Sequence, residues 1–209
     1  MPTPEQMSTP HSGIGAAFSD PILSTQVVFR AVLAAFSEPG TVHSLHERLI
    51  EPKGFAPTTA RLMLTLADFE TPVWLAPDLP ETCQAWVRFH TGAPFSETAE
   101  AAKFAVLDGA GAAPPIAAFD PGEERYPDKS ATLIVQVVSL SGGMPVRLSG
   151  PGIDGTRTIA PQGLREGFWD EVAANNARYP IGVDILLVSG DALIGLPRST
   201  AIAISTGGL

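Results

Sequence analysis

The residues best suited to chemistry are scattered along this chain. Ser149-Gly150-Pro151-Gly152-Ile153 sets two glycines around a proline just after an apolar run. Such a backbone turns sharply and can aim its amides at an anion, with Arg30 or Arg198 to supply the charge. A plain strand-ending turn explains the same residues and is the preferred reading. Phe89-His90-Thr91-Gly92 puts His90 and Thr91 where a strand is predicted to end, the place where α/β sheets collect ligand contacts. A hydrogen-bonded structural histidine is favoured there. Arg30, off the main stripe of an apolar helix, reads first as half of a buried or interface ion pair. Arg198, after Leu196-Pro197, serves either an interface or an anion. Glu123, Glu124, Tyr126 and Asp128 offer paired carboxylates in a loop, where exposed carboxylates are common. His43 and His46 point to opposite faces of a predicted strand, and two ligands fall short of the three or four that a metal needs. No catalytic set and no metal site is expected.

Composition narrows the classes. The 209 residues suit one substantial α/β domain or two small ones, and a chain of this size buries roughly 70% of its unfolded surface without disulfide or metal. A net charge of −9 argues against nucleic acid or an anionic membrane as partner. Charged residues are only 17%, which leaves room for a buried subunit interface. The single cysteine, Cys83, forms no internal disulfide and cannot hold an iron–sulfur cluster alone. The N-terminus lacks the basic start and apolar run of a signal peptide, and no stretch approaches ~20 apolar residues, so a cytoplasmic soluble protein is expected. P-loop and nucleophile-elbow motifs are absent. Residues 150–155 match G-x-G-x-x-G, but a strand rather than a helix is expected to follow, so the match is accidental.

The elements that must position these residues begin after a polar, Pro-rich tail over residues 1–17. Asp20-Pro21 opens a helix with Phe29, Val32, Leu33 and Phe36 as its core stripe, ended by Pro39-Gly40. Strands are predicted at 41–45, 73–75, 85–90, 104–107, 131–140, 146–148, 156–160, 183–189 and 193–196, and helices at 58–69, 96–103 and 163–176. The run 131–140 has no charge and is apolar on both faces, which calls for helices above and below. Residues 141–145 form a hairpin-length break, and 109–128 a long loop. Residues 18–209 read as a single α/β domain, a three-layer α/β/α sandwich with a mixed central sheet.

Several phrases together resemble one family, the H subunit of the bacterial carbon–phosphorus lyase system, PhnH. They are Phe29-Arg30 with Pro39-Gly40-Thr41, Leu64-Thr65-Leu66-Ala67-Asp68 with Glu70-Thr71-Pro72-Val73-Trp74, and Phe89-His90-Thr91-Gly92-Ala93-Pro94. Tyr126-Pro127, Ser130-Ala131-Thr132-Leu133-Ile134, Ser149 to Ile153, Tyr179-Pro180-Ile181-Gly182-Val183-Asp184 and Leu196-Pro197-Arg198-Ser199-Thr200 continue the order. The loop before Tyr126 departs from the family's usual Gly-Thr and reads Gly122-Glu123-Glu124-Arg125. The resemblance implies the fold of the major domain of type I pyridoxal-phosphate transferases without the cofactor. It also implies a homodimer assembling with the G, I and J subunits, and a part in phosphonate breakdown. There, methylphosphonate displaces adenine from ATP to give ribose 1-methylphosphonate 5-triphosphate, and a radical enzyme later cuts the C–P bond.

The residues themselves leave three functions open. One is an accessory subunit without a complete active site, favoured because no compact nucleophile–base set is present. The others are an autonomous hydrolase or transferase using His90 with Glu124 or Asp128, and a small-anion module built on residues 149–153. No cofactor is expected. Of the three lysines, Lys53 and Lys103 should be solvated, and Lys129 sits beside Asp128, which favours the charged ammonium over a Schiff base.

Overall fold

The computed structural model describes residues 15–204. The Asp20 carboxylate accepts the Leu23 amide at 3.1 Å and so caps α1 (Pro21–Ser37), whose first turn tolerates Pro21 because that N–H would be unpaired anyway. There follow β1 (Val42–Ser44), α2 (Pro57–Leu66), β2 (Val73–Leu75), α3 (Glu81–Thr91), β3 (Phe104–Asp108), β4 (Thr132–Gln136), β5 (Val146–Ser149), β6 (Arg157–Ile159), α4 (Phe168–Asn176), β7 (Asp184–Ser189), β8 (Ala192–Leu196) and β9 (Ala201–Ile204).

Six strands form a mixed sheet in the order β1-β8-β7-β4-β3-β2. The pairs β2–β3, β3–β4 and β4–β7 are parallel, while β8 runs antiparallel to both β7 and β1. The expected alternation of β4 holds. Leu133 and Val135 enter one core with Ile185, Leu187, Phe168 and Trp169. Ile134 enters the other with Leu186, Val32, Met63 and Trp86. Truncating a fully buried leucine such as Leu133 to alanine costs about 2–5 kcal/mol.

The two faces are covered differently. Helices α1, α2 and α3 cover one face. The other is covered by α4 together with a three-stranded sheet, β6-β5-β9, rather than by helices alone. The molecule is thus α/β, with its mixed sheet between two cores. Among the described residues no helix is long and apolar enough to cross a membrane.

Several expectations change. Residues 85–90 are helical, inside α3. Ala85, Val87 and Phe89 alternate with Trp86, Arg88 and His90, so a short window fits both periods. Burial of Cys83, Trp86 and Val87 at i, i+3 and i+4 decides for the helix. Gly92, left-handed at φ 71°, ends it. Residues 96–103 are not helical, because the Ser96 hydroxyl donates to Thr98 O at 2.6 Å and forms a local turn instead. Strand character in the run 131–140 stops at Gln136. Val138 N then donates to Gln162 O at 3.0 Å and Gln162 N to Ser139 O at 2.8 Å, which also keeps residues 162–165 out of α4. Thus β4 and β5 form no hairpin; they belong to different sheets.

The stripe of α1 is also rotated. Val28, Val32 and Ala35 are buried, whereas Phe29 and Leu33 are exposed, because a helix apolar nearly all round leaves its inner face to its neighbours. Ile202 and Ile204 pair in β9 with Leu148 and Val146 and pack on the core. His46 falls outside β1. Of the expected tail, residues 1–14 lie outside the described residues, while Ala16 O accepts the Ile50 amide at 3.0 Å.

Candidate functional site

Two ends of the sheet compete for the role of site. At the C-terminal ends of the parallel strands, where α/β folds commonly bind ligands, the polar side chains are engaged with protein partners. Gln136 Oε1 accepts the Ala56 amide at 2.6 Å and the Thr59 hydroxyl at 2.8 Å, and its Nε2 donates to Gly54 O at 2.9 Å. Beside it, Arg165 grips Glu171 with two hydrogen bonds of 2.8 Å. Glu171 in turn accepts the Ile116 amide at 2.6 Å, and the Arg165 amide donates to Gly109 O at 2.7 Å. These groups satisfy one another. Sequence reading passed over them, although Gln136 is the lone amide side chain in the charge-free run 131–140.

The opposite end gathers several of the predicted residues. Pro127, Asp128, Pro151, Tyr179, Pro180, Asp184, Arg198 and Ser199 line an open cavity of about 400 Å³. Arg198 does not face it as a free cation. Its Nε and Nη2 donate to Asp184 at 3.1 and 2.5 Å, its Nη1 to Pro127 O at 2.5 Å, and its Nη2 also to Ser130 Oγ at 2.5 Å. Four of its five donors are engaged. Ser149 ends β5 and pairs with Ala201. At Gly150 (φ 132°) a Cβ would lie 2.9 Å from Ser199 O, and at Gly152 (φ 82°) it would collide with Ser37 O. The Ile153 amide turns back to Gly150 O at 3.1 Å. The glycines therefore let one turn approach two other segments of backbone.

The remaining candidates lie apart. Arg30 is exposed on α1. His90 sits in the last turn of α3, not at a strand end, and its Nε2 donates to Gly15 O at 2.9 Å. Its ring lies edge-on to Trp86 at 4.6 Å and Phe89 at 5.0 Å. The Thr91 hydroxyl donates to Val87 O at 2.8 Å and accepts the Ala93 amide at 3.1 Å. Among the described residues, no hydrogen bond joins His90 to Glu124 or Asp128, and no group of three His, Cys, Asp or Glu could hold a metal. In the divergent loop, the Tyr126 amide donates to Glu123 O at 2.9 Å, and Lys129 Nζ stands 4.2 Å from the centre of the Tyr126 ring.

Lys103 is half-buried rather than solvated. Its Nζ pairs with Asp120 at 3.0 Å and with the Lys129 carbonyl. Burial pulls the Asp120 carboxyl up, but the hydrogen bonds from Lys103 and the Gly122 amide outweigh it and hold the group below its usual range.

Comparison with known proteins gives the family. Residues 16–203 match the family described as "Bacterial phosphonate metabolism protein (PhnH)". The chain belongs to the PhnH family. One relative, "Alpha-D-ribose 1-methylphosphonate 5-triphosphate synthase subunit PhnH" of Rhizobium meliloti (strain 1021), is 39% identical over 187 residues, 89% of this chain and 94% of that protein. Another, "Putative C-P lyase subunit protein HtxG" of Stutzerimonas stutzeri, is 32% identical over 180 residues, 85% of each. The family match runs from before α1 into β9.

Proposed function

We propose that this chain is an accessory subunit of a carbon–phosphorus lyase assembly, contributing to formation of ribose 1-methylphosphonate 5-triphosphate and completing no active site alone. The carrying observation is the correspondence, over 94% of its length, with a relative named as a subunit of that synthase. The engaged states of Arg198, His90 and Gln136 support it, because each satisfies protein partners rather than pointing at open space. In this reading the chain works in the cytoplasm as a homodimer with the G, I and J subunits. Residues 18–209 act as one domain with the three-layer arrangement of type I pyridoxal-phosphate transferases.

The outer face of α1 supports the assembly. Ile22 is 73% exposed, Leu23 60% and Leu33 54%, with Val27 and Phe29 beside them and Arg30 as the lone charge. A largely apolar exposed helix face, with Gln26 and Arg30 within it, fits a self-complementary contact between two copies. Ser149, Gly150, Gly152 and Arg198 hold the fold in this reading, and Arg30 belongs to the interface.

Tagged chain expressed with its genomic neighbours tests the role. Stoichiometric co-purification with the other phosphonate subunits, and synthase activity only in the mixture, are the expected results. Turnover of ATP plus methylphosphonate by the isolated chain, lost on His90→Ala, would establish the autonomous enzyme instead.

A further inference from the structure

A cleft of about 490 Å³ lies just beyond the C-terminal end of β7, between residues 16–19, residues 48–51, the start of α2 and Asp191. Arg61 forms part of its wall, with a side chain only 7% exposed. Its Nε donates to Glu47 O at 2.7 Å and its Nη1 to Asp191 Oδ1 at 2.7 Å. A guanidinium carries five donors in a fixed fork, and here Nε and Nη1 each have a partner while Nη2 has none among the described residues. A rigid, always-charged guanidinium with its Nη2 unpaired can donate to the oxygens of an anion.

The surroundings limit which anion fits. Arg48 lines the same cleft and adds a second positive charge, while Asp191, bonded to Arg61, and Glu51 line it too. Two cations against two carboxylates leave the cleft close to neutral, inside a chain of net charge −9. A polyphosphate would meet net repulsion, whereas a small anion can be met by Nη2. The cleft wall is held in place: Gly15 O accepts from His90 Nε2 at 2.9 Å, and Ala16 O accepts the Ile50 amide at 3.0 Å.

We propose that the cleft binds a small oxyanion, a carboxylate, phosphate or phosphonate, on Nη2 of Arg61 with Arg48 as the second cation. The test is titration of the full chain with acetate, inorganic phosphate and methylphosphonate in turn, followed by amide and arginine side-chain NMR. Saturable millimolar shifts at Arg61, Ala16, Ala17, Ile50 and Glu51 are expected with at least one of them, and Arg61→Gln should abolish the shifts. Because that variant also unpairs Glu47 O and Asp191, a second one, Asp191→Asn, keeps the guanidinium and removes the competing charge. It should bind about two- to fivefold tighter, the range set by a partly exposed charge. Absence of saturable shifts with all three anions would overturn the proposal. So would shifts that persist in folded Arg61→Gln, Asp191→Asn binding no tighter than the parent, or ATP binding here more tightly than the small anions.

Discussion

Asp184, the first residue of β7, receives Arg198 on both carboxylate oxygens, with Nη2 at 2.5 Å from Oδ2 and Nε at 3.1 Å from Oδ1. The Arg198 amide adds a third bond to Oδ1 at 2.8 Å. Paired forks of this kind are among the stronger side-chain contacts. This one ties the segment after β8 to the start of β7, and through Pro127 O and Ser130 Oγ to the segment that feeds β4.

Arg198→Ala should therefore act on stability before it acts on any ligand. The expected loss is about 2–3 kcal/mol, somewhat below the usual cost of breaking a buried pair because both side chains keep some water contact. Urea unfolding measures it, and a variant as stable as the parent would mean the pair is only a surface contact.

Gln136→Ala removes an acceptor shared by the Ala56 amide and the Thr59 hydroxyl, and the donor to Gly54 O. Leaving such groups unpaired costs about 1–3 kcal/mol. Hydrogen exchange should quicken first at Ala56. Unchanged exchange there would show that water replaces the amide.

Cys83 is fully buried, and burial pushes its thiol from 9.0 up to about 11. The unfolded chain releases this proton first, so it binds fewer protons than the folded chain within that interval. The contribution to stability is intact below 9.0 and is lost as pH rises toward about 11. Unfolding free energy should fall more steeply across that interval in the parent than in Cys83→Ala. Equal slopes would refute this.

The exposed apolar face of α1 predicts self-association. Light scattering at micromolar concentration should give twice the monomer mass, and Ile22→Glu with Leu33→Glu should give the monomer with helical content unchanged. A monomeric parent would sink the dimer.

Much of the fold was legible because it depends on neighbours in sequence. Asp20-Pro21 specified the start of α1, and alternation specified β4 with its two buried faces. A strand was rightly expected after Gly155, which set aside the dinucleotide reading of residues 150–155. Local pattern failed where two periods coincide, as at residues 85–90, or where distant backbone recruits a segment, as at residues 162–165.

The sequence by itself determined the family phrases, the absence of P-loop and nucleophile-elbow motifs, and the apolar surplus that needs covering. Only the tertiary structure decided which side chains are free. Arg198 and Arg30 look alike as letters, yet one is locked to Asp184 and the other stands on an exposed helix face. Gln136 meets Ala56 across a separation of 80 residues, and Arg61 meets Asp191 across 130. Hydrogen bonds are satisfied through space rather than along the chain, so no spacing in the sequence reveals which donor is left without an acceptor.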